Sequence, residues 1–391
     1  MNISDRSRCC GCAACVQRCP QQCISLKEDK EGFWYPILEK GKCINCGLCK
    51  IVCPFVEEYD SPIPLKVFAA KNKNVEIRVE SSSGGIFSIL AESVIDKGGV
   101  VFGACFDKNW DVIHDYTETK DGIAAFRGSK YVQSRIGNTY QQAEDFLKEG
   151  RLVMYTGTPC QIKGLKLFLK KEYDNLLAVD FVCHGVPSPL VWRVYLQEVV
   201  SNYFDISNNE LSSVIKGINF RDKSTGWNKY SFVLILNNTS SVGEQDIILS
   251  SKYTENIFMK AFLLNLSLRP SCYNCPSKSG KSGADITLGD FWGAEKYFPD
   301  FDDDKGCSLC ILYSEKAYSY IKSKCELIET TREIAINNNP CIYYSVDAPV
   351  NRNYFYKELY KGNGLLKTMH RLQDSSLFMR LRRMIYRKIG I

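Results

Sequence analysis

Two copies of one cysteine spacing constrain this chain more than any other feature. The first copy consists of Cys9, Cys12, Cys15 and Cys19, with Pro20 directly after the last cysteine. The second copy repeats the spacing 34 residues later, with Cys43, Cys46, Cys49, Cys53 and then Pro54. Such runs are typical of small domains that hold two [4Fe-4S] clusters, in which the fourth cysteine of each copy binds the cluster of the other.

The spacing therefore predicts two crossed ligand sets. One set is Cys9, Cys12, Cys15 and Cys53, and the other is Cys43, Cys46, Cys49 and Cys19. Zinc knuckles and disulfides are the alternatives, but zinc sites usually group their ligands as two separated pairs. Neither alternative explains a double run with a proline after each copy. Cys10 and Cys23 lie beside the pattern, and we expect them to be spectators.

Length and composition favour an ordinary globular protein. A chain of 391 residues with 45% hydrophobic content can form two or three domains. The sequence shows no apolar segment with a cleavage site before Cys9, so its nineteen cysteines predict a cytoplasmic protein with reduced thiols. No run of about 18 apolar residues occurs, and we therefore expect no membrane-spanning helix.

The formal net charge of +6 is concentrated in the tail from Leu366 to Ile391, which carries seven basic residues and one aspartate. Because the rest is formally neutral, a generally basic nucleic-acid binder is not expected. Apolar residues in the tail recur on one helical face, which predicts a basic amphipathic helix. Three roles remain open for such a helix. It binds the anionic inner face of the membrane, it attracts an acidic partner protein, or its apolar face packs on its own domain.

Strand and helix signals alternate after the proline-containing segment 61–64, which we interpret as a linker. Residues 67–70 predict a buried strand, and residues 86–91 predict a helix that begins at a serine cap. The apolar runs 152–156 and 176–182 each precede a helical pattern. The predicted fold class is therefore mixed, α+β or α/β: a ferredoxin module followed by an α/β body with ligand loops at the strand ends.

Four further cysteines stand in loops rich in glycine or proline: Cys160, Cys183, Cys272 and Cys275. They predict a third [4Fe-4S] cluster, although buried cysteines without a ligand role are the alternative that spacing alone leaves open. Cys307 and Cys310 occur in an apolar run and are interpreted as packing residues of a strand.

No dinucleotide fingerprint or Walker loop is present, so a flavin or nucleotide would need another kind of site. The serine and glycine run 81–85 precedes a predicted helix and would suit a phosphate, or serve only as a cap. Residues 128–134 supply a cation, hydroxyls and an aromatic ring, or form a solvated turn. His184 is a candidate proton donor or a hydrogen-bonding side chain. Phe291 and Trp292 would stack on a flavin or belong to the core.

Five ordered motifs resemble the coenzyme F420 hydrogenase/dehydrogenase beta-subunit family. They are GTPCQIKGL at 157–165, VDFVCHGVPSP at 179–189, FRDK with a following GW at 220–227, RPSCYNC at 269–275 and GDFWG at 289–293. The resemblance covers residues 1 to about 320. It implies domains at 1–60 (2[4Fe-4S] ferredoxin), 61–145 (beta-subunit N-terminal-like), 146–330 (C-terminal-like) and 331–391 (extension with the basic helix).

The resemblance also implies cofactors and a function. Family members carry iron-sulfur clusters and FAD, so a third cluster at the four loop cysteines is favoured. The implied flavin site consists of Ser83, Gly84, Gly85, Lys130, Tyr131 and Ser134. The expected function is an iron-sulfur flavoprotein oxidoreductase that moves electrons between [4Fe-4S] clusters and the flavin, coupled to F420 or an organic substrate.

Two other functions remain open at this level: an electron-transfer subunit without a substrate of its own, and a reductase of a surface-polysaccharide pathway. The expected partners are ferredoxin or F420, and a partner enzyme or a second copy of the chain. The direction of electron flow is not written in the sequence.

Overall fold

The computed structural model describes residues 5–56, 60–205, 211–237 and 245–373. The strands of these residues are β1 (Ile24–Glu28), β2 (Trp34–Leu38), β3 (Lys66–Asn72), β4 (Val100–Phe106), β5 (Val112–Thr117), β6 (Val153–Gly157), β7 (Leu176–Phe181), β8 (Ile215–Asp222), β9 (Ser231–Leu236), β10 (Ile247–Lys252), β11 (Ile286–Asp290), β12 (Ser308–Leu312) and β13 (Cys325–Thr330).

The helices are α1 (Ala14–Gln17), α2 (Leu48–Ile51), α3 (Val75–Glu80), α4 (Ile86–Ile95), α5 (Thr139–Lys148), α6 (Pro159–Leu169), α7 (Pro189–Val200), α8 (Leu211–Val214), α9 (Ile257–Leu263), α10 (Ala294–Tyr297), α11 (Glu315–Ile321), α12 (Arg332–Asn337) and α13 (Arg352–Leu359). Among the residues that the structure describes, no helix is long and apolar enough to cross a membrane.

The body is built on an eight-stranded mixed sheet with the order β13-β3-β12-β11-β7-β6-β4-β5. Its four neighbouring strands β11, β7, β6 and β4 run parallel, and the strands on either side are antiparallel. The sheet takes strands from both of the predicted regions 61–145 and 146–330. A second, antiparallel sheet contains β8, β9 and β10. The predicted α/β body is thus confirmed.

The predicted serine cap of α4 is wrong. The helix begins after Gly85, which is left-handed with φ of +79° and leaves the helix without a side-chain cap. The serines before it bind elsewhere: Ser82 Oγ accepts the Ser129 N–H at 2.6 Å, and Ser83 Oγ donates to the Cys307 oxygen at 2.9 Å. Tertiary hydrogen bonds have replaced the local cap.

The N-terminal module repeats its backbone as well as its cysteines. Gly11 and Asn45, which are 34 positions apart, have φ of +72° and +55°. Ala13 and Gly47, related in the same way, have φ of +60° and +76° and begin the short helices α1 and α2. Left-handed residues at matched positions indicate two loops of the same shape, as expected for a duplicated ferredoxin module.

This module shares a hydrophobic core with the body. Cys12 and Phe55 pack in one buried cluster with Ile162 and Leu165 of α6. A Cβ added at Gly164 would lie 2.9 Å from Cys12 Sγ, so the glycine lets α6 approach the first cysteine loop closely. Gln17 Oε1 also accepts the backbone N–H groups of Tyr140 and Gln141 at 3.1 Å at the start of α5.

The C-terminal extension fastens to both parts. Arg352 forms a two-pronged ion pair with Glu31 of the ferredoxin module. Residues 364–373 are helical, and Leu365, Met369 and Leu372 are buried in the core that surrounds Trp192. The start of the predicted basic tail therefore packs on the body, whereas the predicted amphipathic segment 377–389 lies outside the described residues.

Candidate cofactor cleft and metal centres

A cleft of about 510 Å³ opens at the carboxyl ends of the parallel strands. Residues at or just after the ends of β6, β7 and β11 line it, including Thr158, Gly185 and Asp290. Open α/β sheets usually bind ligands at this edge, because the loops after neighbouring parallel strands meet there. The second sheet supplies part of the wall through Arg221 and Tyr230.

The structure brings most of the predicted flavin residues into this cleft. Ser83, Gly85, Lys130, Tyr131 and Ser134 all line it. Gly84 does not. Its N–H donates to Ser308 Oγ at 2.9 Å, and an added Cβ would lie 2.4 Å from the Ala70 oxygen.

Lys130 is held inside the wall of the cleft rather than in a solvated turn. Its Nζ donates to the backbone oxygens of Arg127 at 2.9 Å and Gly128 at 3.2 Å. Burial lowers the pKa of Lys130 to about 8, so the amine is mostly charged at neutral pH. Tyr131 stacks on Phe262 with ring centres 4.9 Å apart. A cation therefore lies beside an aromatic surface.

His184 lines the same cleft, but hydrogen bonds occupy both of its ring nitrogens. Nε2 lies 2.7 Å from Asn265 Oδ1, and Nδ1 lies 3.6 Å from Cys341 Sγ. Since Asn265 Oδ1 can only accept, Nε2 carries the proton. Burial lowers the pKa of His184, which favours the neutral ring. This geometry suits a hydrogen-bonding role better than proton donation into the cleft.

His114 is a cleft residue that the sequence analysis did not single out. Its Nε2 lies 3.0 Å from the Thr156 carbonyl oxygen and therefore carries the proton. Nδ1 is a buried acceptor without a partner among the described residues. Burial lowers the pKa of His114 to about 4, so the ring is neutral at physiological pH. A free acceptor in the wall can receive an N–H or O–H of a bound ligand.

Buried Arg221 and partly buried Asp290 form an ion pair in the wall, and Trp227 Nε1 donates to the same carboxylate at 3.2 Å. Trp227 stacks on Trp292 with ring centres 5.1 Å apart. Phe291 is core, whereas Trp292 lines the cleft. Arg221 belongs to the FRDK motif. Because neighbouring residues of a strand point to opposite faces, a buried Phe220 gave no reason to expect that Arg221 is buried too. The pairing of β8 with β9 is irregular between Asn219 and Asp222, and such an irregularity breaks the alternation of buried and exposed side chains.

The four loop cysteines come together around one small cavity. Cys160, Cys183, Cys272 and Cys275 all line it, as does Cys10, which the sequence analysis treated as a spectator. Burial raises the pKa of Cys272 to about 12 and that of Cys275 to about 11, so these thiols stay protonated without a metal. The Val186 N–H lies 3.4 Å from Cys272 Sγ and would stabilise a thiolate. Four thiols with a backbone donor fit the needs of a [4Fe-4S] cluster.

Arg269 joins the wall of this cavity to the backbone of the first ferredoxin loop. It is fully buried and lines the cavity. Its Nε donates to the Cys9 backbone oxygen at 2.6 Å, its Nη1 to Gln133 Oε1 at 2.8 Å and its Nη2 to the Trp34 oxygen at 2.9 Å. The guanidinium carbon lies 4.2 Å from the Tyr35 ring centre. A permanent charge thus lies between the two groups of cysteines.

The crossed ligand sets of the eight motif cysteines stay a prediction, and the pKa shifts of two of these cysteines show which thiols lie nearby. Burial, with Cys9, Cys53 and Cys49 as neighbouring thiols, raises the pKa of Cys15 to about 12. Burial and the thiols of Cys46, Cys43 and Cys19 raise the pKa of Cys49. Cys53 therefore lies near the first loop and Cys19 near the second. In residues 5–56 and the other described ranges, no three metal-binding side chains converge as they would on a single ion. A four-iron cluster spaces its thiolates more widely, because each binds a different iron.

Comparison with protein families divides the chain into three matches. Residues 150–334 match the C terminus of the coenzyme F420 hydrogenase/dehydrogenase beta subunit, and residues 67–139 match the N-terminal region of the same subunit. Residues 8–56 match the 4Fe-4S dicluster domain.

Individual relatives are distant. A coenzyme F420-dependent sulfite reductase of Methanocaldococcus jannaschii is 25% identical over 199 residues, covering 50% of this chain and 30% of that protein. An uncharacterized protein of the same organism is 24% identical over 212 residues, 44% of this chain and 56% of that protein. A 7Fe ferredoxin of Hydrogenibacillus schlegelii is 35% identical over 65 residues, 16% of this chain and 77% of that protein.

The match with this chain thus spans 56% of the length of the uncharacterized protein and 30% of the length of the sulfite reductase. Among solved structures, a chain of the F420-reducing [NiFe] hydrogenase complex from Methanosarcina barkeri is similar at 17% identity and a TM-score of 0.45. The similarity covers 73% of this chain and 93% of that one.

Proposed function

Because the chain belongs to the coenzyme F420 hydrogenase/dehydrogenase beta-subunit family and carries a 4Fe-4S dicluster domain, we propose that it is an iron-sulfur flavoprotein oxidoreductase. In this proposal FAD occupies the cleft, a third [4Fe-4S] cluster is held by Cys160, Cys183, Cys272 and Cys275, and two more are held in the ferredoxin module. The protein moves electrons along this series and couples them to F420 or to an organic substrate.

One observation carries the proposal: the cleft and the four-cysteine cavity share a wall. Cys183, His184, Gly185 and Val186 line both spaces. The cavity is also lined by Cys10 and Phe55 of the ferredoxin module. A cofactor in the cleft would therefore be separated from the third cluster by a single loop, and the third cluster from the first by the segment around Cys10.

The residues of the cleft suit a flavin in several ways. Lys130 and the Ser82 hydroxyl would bind phosphate groups, since ammonium and hydroxyl donors stabilise phosphate oxygens. Ser82 Oγ accepts hydrogen bonds from Ser129, which leaves its own O–H free to donate. Tyr131, Phe262 and Trp292 offer aromatic surfaces to a planar ring. When bound, a flavin takes the two electrons of a hydride and releases them singly, whereas each [4Fe-4S] cluster carries one.

The far end of the series has features of a docking surface for a redox partner such as ferredoxin or a partner enzyme. Cys46 is exposed, and three large apolar side chains of the same module are exposed by half or more: Ile37, Ile44 and Ile51. Exposed apolar groups of this kind mark interaction surfaces when they are clustered. We propose that the second cluster exchanges electrons with the partner here.

Anaerobic purification followed by iron, sulfide and flavin analysis tests the proposal. We expect about twelve irons and one FAD per chain. Lys130→Ala should weaken FAD retention about tenfold and leave the iron content unchanged, whereas Lys120→Ala, at an exposed lysine paired with Asp96, should do neither. Reduced F420 and reduced ferredoxin are then offered as donors to establish the direction of electron flow.

A protein with full iron that contains no flavin and cannot take up added FAD would contradict the proposal. It would instead favour an electron-transfer subunit without a substrate of its own.

A further inference from the structure

Arg221 is a buried cation in the wall of the cleft. It lies on β8, is only 4% exposed and lines the cleft together with Tyr230 and Trp292. Its guanidinium carbon lies 4.4 Å from the ring centre of Tyr230 and 5.1 Å from that of Trp292. These rings and the Asp290 carboxylate hold the guanidinium in place.

The ion pair with Asp290 uses only part of this guanidinium. Nη1 donates to Asp290 Oδ2, whereas Nε and Nη2 have no acceptor among the described residues. Nε and Nη2 share one edge of the guanidinium plane, and this edge matches two oxygens of a carboxylate or a phosphate. Buried charged donors that stay unpaired are costly, so a bound partner for them is expected.

A second unpaired donor lies in the same wall. Asn338 lines the cleft, and its Nδ2 is buried without an acceptor among the residues that the structure describes. Arg221 and Asn338 come from different parts of the chain, and both leave N–H groups unused at one cleft. A ligand group with several acceptor oxygens would satisfy the unpaired N–H donors of both side chains.

We propose that Arg221 binds an oxyanion group, a carboxylate or a phosphate, of the molecule in the cleft through Nε and Nη2, with Asn338 Nδ2 as a further donor. This rests on the proposed function in that the cleft is taken as the cofactor and substrate site. The oxyanion belongs either to the flavin, as its phosphate, or to the organic substrate, as an acid group beside the aromatic rings.

Titrations of the full chain distinguish the two sources. In the first arm, iron-loaded and flavin-free protein is titrated with riboflavin, FMN and FAD by fluorescence quenching. In the second arm, inorganic phosphate and benzoate are titrated by calorimetry into protein with and without flavin. Arg221→Gln is compared with the control variant Arg78→Gln. Arg78 is also a buried arginine that pairs with an aspartate, Asp303, and that has an unpaired Nε, but it does not line the cleft.

A loss of about tenfold or more in FMN or FAD affinity, with riboflavin unaffected, identifies the flavin phosphate as the partner. Unchanged flavin affinities with a similar loss for phosphate or benzoate identify the substrate group. Arg221→Lys should recover only part of either loss, because an ammonium cannot form the two-pronged contact.

The proposal is overturned if Arg221→Gln binds every probe as the wild type does, or if Arg78→Gln loses the same affinity. Should Arg221→Gln fail to fold, Asn338→Ala must weaken the same probe about threefold or more for the proposal to stand. If the wild-type protein takes up no flavin, the proposed function is refuted but the proposal for Arg221 is not. Calorimetry with phosphate and benzoate on the flavin-free protein then decides the role of Arg221.

Discussion

Arg269 Nε donates a hydrogen bond to the backbone oxygen of Cys9 at 2.6 Å, although the two residues are 260 positions apart. Arg269 Nη2 also lies 3.6 Å from Cys9 Sγ. Since Arg269 comes three residues before Cys272, one buried guanidinium connects the first ferredoxin loop with the four-cysteine cavity. A cation in a buried site favours the more negative, reduced form of a neighbouring cluster.

Arg269→Gln should therefore lower the midpoint potential of the first ferredoxin cluster. We expect a shift of about 60 mV, which is a tenfold change for a one-electron couple. An EPR-monitored redox titration measures it. Arg352→Gln is the control, since the Arg352 side chain is also largely removed from solvent but pairs with the carboxylate of Glu31. Equal potentials in wild type and Arg269→Gln would show that the guanidinium has no electrostatic role.

Gly164→Ala should loosen the attachment of the first cysteine loop to α6. The new Cβ would lie 2.9 Å from Cys12 Sγ and 3.1 Å from Tyr140 Oη, too close for an ordinary contact. Overpacking of this kind costs about 1–3 kcal/mol. The temperature at which cluster absorbance disappears under anaerobic heating should fall, whereas Gly41→Ala, with nothing within 4 Å of its added Cβ, should leave it unchanged. A Gly164→Ala protein as stable as the control would refute the close approach.

His114 should make stability fall in mildly acidic solution. Its pKa is lowered to about 4 by burial, and the Lys130 charge acts in the same direction, while the unfolded chain has an ordinary histidine pKa. The unfolded state thus binds the proton first, so this contribution is complete above about pH 6.5 and is lost as the pH falls towards 4.

Between pH 7.0 and 5.5 the loss from His114 is about 1 kcal/mol. Urea unfolding at the two pH values should show a smaller decrease in His114→Gln than in the wild type. An equal decrease in both proteins would mean that His114 is not a buried neutral ring.

Membrane binding by the basic tail can be tested with a deletion, and the described residues decide where that deletion can begin. Because Leu365, Met369 and Leu372 are buried in the core, a deletion must begin after residue 373 to leave the body intact. If the tail attaches to membranes, the full chain should sediment with anionic liposomes at low salt, lose binding at high salt and stay soluble without residues 374–391. Full-length protein that remains in the supernatant at low salt is not anchored by the tail.

The sequence predicted those features of the site that depend on local spacing. Cys9 to Cys19 and Cys43 to Cys53 lie within short loops, so their grouping can be read from the chain. The third cluster at Cys160, Cys183, Cys272 and Cys275 was predicted from their glycine- or proline-rich loops and from the family resemblance. The parallel strands β6 and β7 bring the loops of Cys160 and Cys183 to one edge of the sheet.

Features that depend on distant partners could not be predicted. Nothing near Arg269 indicates a bond to Cys9, and nothing near Arg221 indicates burial beside Asp290. The serine cap was wrong for the same kind of reason, since Ser82 and Ser83 bind residues far along the chain.

The central claim is that the four-cysteine cavity holds the cluster that links the cleft to the ferredoxin module. Cys272→Ser tests it most directly, with Cys105→Ala, a buried cysteine outside both cysteine groups, as the control. Iron analysis and EPR spectra are recorded before and after photoreduction of the bound flavin. We expect about twelve irons in wild type and control and about eight in Cys272→Ser, whose ferredoxin clusters should stay oxidised when the flavin is reduced. Unchanged iron content and EPR signals in Cys272→Ser would contradict the account.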